Sequence, residues 1–120
     1  MSLFFDGITS ARNYLHFATH QIAIGLLYHD KGDYDMACGA YAVAADHAAT
    51  SLSYIDPKCV EPDFYAEVTF VYLTCLARSS QFARCERACR TVLGAPFDGD
   101  ELQWLKFQAQ RILEIVRARN

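Results

Sequence analysis

Lys31-Gly32-Asp33 stands between two long stretches in which apolar and small residues recur every three or four positions. From about Ile8 to Asp30 the recurring set is Tyr14, Leu15, Ala18, Ile22, Gly25, Leu26 and Tyr28, one face of an amphipathic helix. Lys31-Gly32 closes that helix: glycine accepts the left-handed backbone a helix end needs, and lysine suits a C-terminal turn. Asp33 supplies an oxygen to cap the next helix. That helix carries Ala37, Tyr41, Ala44, Ala45, Ala48 and Leu52 inward and persists to about Tyr54, where "IDPKCVEPD", with Pro57 and Pro62, ends it. Two long helices joined by so short a turn fold back on one another.

The same period continues to the end of the chain, and strand signals are nearly absent. A third helix is predicted over Asp63–Arg78 with Phe64, Val68, Val71, Tyr72 and Cys75 inward. "SSQF" interrupts it, and Phe82–Leu93 makes a fourth. "GAPFDGD" is the clearest loop. Asp100 is expected to cap a last helix holding Leu102, Leu105, Ala109, Ile112, Leu113 and Val116. The expectation is one all-α domain of antiparallel helical hairpins: a hairpin over 8–55, a degenerate one over 63–93, and a capping helix over 100–118.

Composition narrows the function. Hydrophobic residues are 52% and charged residues 21% of the 120, which places the chain among folded globules and not disordered ones. The net charge of −3 argues against a general nucleic-acid binder. The acidic excess sits in the first half, because positions 61–120 balance acids against bases. No run approaches the ~18 apolar residues of a membrane span. "MSLFFDGITSARNYL" has no basic start before its apolar run and does not read as a signal peptide. Five cysteines (Cys38, Cys59, Cys75, Cys85, Cys89) form an odd set without a C-x-x-C pair, so free thiols and a cytoplasmic setting are expected.

Gly25, Tyr28, Gly32, Tyr34, Ala37, Tyr41 and Ala44 form a pattern that periodicity alone does not require. It resembles the tetratricopeptide repeat, a helix-turn-helix unit of roughly 34 residues. Gly25 matches the family's small residue at the helix crossing, Tyr28 the aromatic that follows, and Tyr41 and Ala44 the large and small packing positions of the second helix. The family's tryptophan-like position falls on Gln21 and its closing proline position on Ala49. A second unit lies over 66–93, with Leu73 and Ser80 at the glycine positions and Cys85, Cys89 and Val92 in its second helix. The long helices are also similar to the microtubule-interacting-and-trafficking domain, a three-helix module that binds helical peptide tails.

The tetratricopeptide resemblance implies a groove lined by first helices: Thr19, Ile22, Leu26 and His29 from the first unit, and Glu67, Phe70, Thr74 and Ala77 from the second. The basic and amide clamp that some members use for acidic tails falls here on Ile22 and Leu26, so an apolar or amphipathic helix, or a second copy of the chain, is the expected partner. Arg84 and Arg87 share one side of the fourth helix and suit an acidic or phosphorylated partner, since guanidinium forks hold carboxylate or phosphate bidentately.

Other chemistry is thinly signalled. His16 and His20 lie four apart, as do Cys85 and Cys89, and together the pairs would make a two-nitrogen, two-sulfur zinc set. The two cysteines also fall on inward packing positions, where cysteine serves as a small hydrophobe. Motifs for acid–base, nucleophilic or phosphate-loop catalysis are missing. The sequence therefore reads as a non-enzymatic adaptor or scaffold without a cofactor, with a small metal- or ligand-binding helical protein or enzyme as the alternative.

Overall fold

The computed structural model describes residues 3–56, 61–96 and 99–119, with side chains from residue 7 onward. Cys59, Pro57 and part of the "GAPFDGD" loop lie outside the described residues. Five α-helices follow in order: α1 (Leu3–Asp30), α2 (Tyr34–Ser53), α3 (Pro62–Arg78), α4 (Phe82–Gly94) and α5 (Asp100–Arg117). The described residues contain no strand. α1 starts five residues before the expected Ile8.

α1 and α2 pack through small side chains. Ala11, Ala18 and Gly25, seven apart on α1, are buried, and they face an α2 surface of Ala37, Ala40, Ala44, Ala45 and Ala48. Small residues let two helices approach closely along their length. Near the open end of the hairpin the Ser51 hydroxyl donates to the Ala11 carbonyl at 2.7 Å, which satisfies a buried hydroxyl. At the turn, Gly32 takes φ of 80° and the Asp33 side chain accepts from the Met36 amide at 3.2 Å. A Cβ built on Gly25 would stand 2.8 Å from the Tyr41 ring, so the ring occupies the space that glycine leaves.

The second turn repeats the first. Gly32 N–H donates to the His29 carbonyl and Asp33 N–H to that of Tyr28; Ser80 N–H donates to Ala77 and Gln81 N–H to Leu76, each partner 48 positions further along. Ser80 stands where Gly32 stood and adopts φ of 60°. Leu73 stands where Gly25 stood and Cys89 where Tyr41 stood, and both are fully buried. The large and small partners are exchanged across the two hairpins.

α3 is the central helix. It packs on α2, α4 and α5 and touches α1 lightly, whereas neither α1 nor α2 packs on α4. α5 covers the α3–α4 pair with Leu102, Leu105, Ala109, Leu113 and Val116, as expected of a capping helix. Its cap is a correction: Gly99, with φ of 108°, is the N-cap, and Asp100 is the first helical residue. An acid there still favours the helix by meeting the positive end of its dipole. The Lys106 ammonium donates to the Ala95 carbonyl and ties α5 to the end of α4.

Candidate functional site

α3 and α5 run side by side in the same direction, and a groove follows the seam between them. Its first half is a hollow of about 430 Å³ lined by Asp63, Ala66, Glu67, Phe70, Val71, Asp100, Glu101 and Trp104. Its second half, also about 430 Å³, is lined by Phe70, Thr74, Ala77, Arg78, Gln108, Arg111, Ile112 and Ile115. Phe70 belongs to both and meets the Trp104 ring edge to face, with centroids 5.1 Å apart. Trp104 and Ile115 remain 45% and 59% exposed, and Phe107 on the adjoining ridge of α5 is 62% exposed. Single exposed apolar residues are ordinary; three on one helix beside an apolar hollow mark that side of α5 as unusually apolar.

The charges are sorted along this groove. Four carboxylates (Asp63, Glu67, Asp100, Glu101) stand at the end where both helices begin. Two guanidiniums (Arg78, Arg111) stand toward the other end. Asp63, Asp100 and Glu101 lie in the first turns of their helices and Arg78 in the last turn of α3, where each complements the helix dipole. Arg78 is also anchored inward: its Nη1 donates to the Tyr41 hydroxyl at 3.4 Å and its guanidinium lies 5.5 Å from that ring's centroid.

The structure distributes the sequence-derived residues over three surfaces. Phe70, Thr74, Glu67 and Ala77 lie on the groove face of α3. Thr19, Ile22, Leu26 and His29 lie on α1: Thr19 is exposed and its hydroxyl donates to the His16 carbonyl, Ile22 is half-buried against the core, and Leu26 is 44% exposed. His29 is exposed, with its ring 5.1 Å from that of Tyr34. The two groove hollows are walled by α3 and α5, with no α1 residue in their lining. Arg84 and Arg87 face the opposite side of α3, in a separate cleft with Tyr65, Thr69 and Tyr72.

The proposed two-nitrogen, two-sulfur zinc set is not assembled. His16 and His20 approach to 3.2 Å between their Nε2 atoms, but on the exposed side of α1, which does not touch α4. Cys85 and Cys89 are fully buried on α4, and the Cys85 thiol donates to the Leu73 carbonyl at 3.5 Å. The Cys89 thiol is held protonated well above the usual thiol range by its hydrogen bond to Cys85 and by burial. Among the described residues no three His, Cys, Asp or Glu side chains converge on one point. Trp104, Arg111 and Ile115 were not singled out from the sequence. Their spacing of seven and four places them on one face of α5, and that was the available signal.

No protein-family model, curated protein or solved structure matches the chain.

Proposed function

We propose that this protein is a non-enzymatic interaction module of the tetratricopeptide type, whose α3–α5 groove receives an amphipathic helix, and that the helix is α5 of a second copy. The observation that carries the reading is the sorting of charge along an apolar groove. A partner helix must bring cations to the end holding Asp63, Glu67, Asp100 and Glu101, apolar residues to Phe70 and Trp104, and anions to Arg78 and Arg111. α5 has that composition when it runs antiparallel to the groove. Its far end brings Arg111 and Arg117, its ridge brings Trp104, Phe107 and Ile115, and its start brings Asp100 and Glu101. A surface acidic at one end and basic at the other is self-complementary about a two-fold axis, the symmetry of most homodimers.

The recurrence of one turn geometry in both hairpins supports the repeat reading. The offset of 48 exceeds the roughly 34 of that family because α2 runs to 20 residues and a long connection separates it from α3. Binding is favoured over catalysis because the groove walls are apolar and its charged groups stand apart at opposite ends.

The test is mass against concentration by light scattering. The expected result is a shift toward twice the chain mass as concentration rises, abolished by Trp104→Asp with the helical circular dichroism unchanged. A wild-type chain that stays at its own mass throughout, or a Trp104→Asp variant that still doubles, contradicts the second-copy reading. In the first case a helix from another protein becomes the occupant to test.

A further inference from the structure

On the side of α3 away from the groove, α2 and α4 stand apart and leave a cleft of about 440 Å³ over α3. Its lining combines Arg84 and Arg87 with Tyr65, Tyr72, Thr69 and Thr91 above an apolar floor that includes Leu52, Leu73 and Val92. No carboxylate lines it. Asp46 stands on the rim, 3.7 Å from Arg84 Nη1, with its side chain 72% exposed.

Arg84 is held in position. Its Nη1 donates to Gln81 Oε1 at 3.2 Å, and its guanidinium lies 5.7 Å from the Tyr72 ring centroid. Arg87, three positions on, falls on the same side of α4 and lines the same cleft. Thr69 is 4% exposed, and its hydroxyl finds no protein partner.

We infer that this cleft binds a small organic phosphate. The phosphate oxygens sit between the two guanidiniums, which present more directed donors than one carboxylate accepts, and the organic body lies against Tyr65, Tyr72 and the apolar floor. The inference does not depend on the groove, because the two surfaces lie on opposite sides of α3.

The experiment is calorimetric titration at fixed ionic strength with three probes: phenyl phosphate, inorganic phosphate and benzoate. Phenyl phosphate is expected to bind saturably and more tightly than either of the other two. Arg84→Gln and Arg87→Gln are each expected to weaken it by about tenfold or more, in line with losing one charge-assisted contact. Arg90→Gln, which removes only the ion pair to Glu86 at 2.9 Å, is expected to bind as wild type does. Unchanged circular dichroism certifies each fold. Absence of saturable binding to the wild type, equal binding by Arg87→Gln, or benzoate or inorganic phosphate binding as tightly as phenyl phosphate overturns the assignment.

Discussion

Tyr41 shows how a single side chain can join three helices. It grows from α2, fills the space beside Gly25 on α1, and takes a hydrogen bond and a cation from Arg78 at the end of α3. Gly25→Leu is therefore expected to lower stability by about 1–3 kcal/mol, read from urea denaturation, because the 2%-exposed ring has nowhere to move. The second hairpin holds the inverse pair, Leu73 with Cys89, and so suggests the compensation. Gly25→Leu combined with Tyr41→Cys is expected to be less destabilised than the sum of the two single changes. Strict additivity would mean that the two hairpins do not share a packing scheme. Cys75 offers a pH-dependent case. Burial pushes its thiol from 9.0 up to about 11, against the opposing pull of the Arg78 charge. The unfolded chain then releases this proton before the folded chain does. The stability it contributes is complete below pH 9 and is lost as pH rises through about 11, a change of ~2–3 kcal/mol. Cys75→Ala should flatten that part of the alkaline slope; an unchanged slope assigns the loss to other groups.

Among the elements, turns and helix faces were legible in the sequence to different degrees. Gly32 and Asp33 signal their turn because each has the side chain its backbone role demands. Ser80 sends a weaker signal, since it occupies the left-handed region only because α3 and α4 are packed around it. Ser80→Gly is accordingly expected to raise stability by ~0.5–1 kcal/mol in the same denaturation assay, and a loss would show that the serine side chain matters more than its backbone. The helices themselves follow from spacing, and the α5 core positions were readable in full. The groove was readable on one wall only. Phe70 and Thr74 lie on it by repeat register, but α5 has two working faces: Leu105 and Ala109 point inward while Trp104, Arg111 and Ile115 point to the groove. A reading that assigns a helix one apolar face loses the second. The α1 residues Thr19 and Leu26 were placed beside Phe70 by family register; they stand instead on a helix that only grazes α3.

At the scale of the molecule, the central position of α3 organises everything else. One of its faces carries Phe70 and Thr74 into the groove shared with α5, and the opposite face carries Tyr65, Thr69 and Tyr72 under the cleft shared with α4. No helix of the described residues is long and apolar enough to cross a membrane. The exposed Trp104, Phe107 and Ile115 form the apolar ridge on which the proposed docking rests. The proposed two-fold docking brings Glu101 of each copy toward Arg111 of the other. The most direct test mixes two variants, Glu101→Lys and Arg111→Glu, followed by sedimentation velocity. Each variant alone sets like charges against each other at both contacts and should remain a monomer at concentrations where the wild type pairs. An equimolar mixture restores opposite charges at both contacts and should sediment as a heterodimer. A mixture that stays monomeric, or single variants that pair as well as the wild type, would contradict the account.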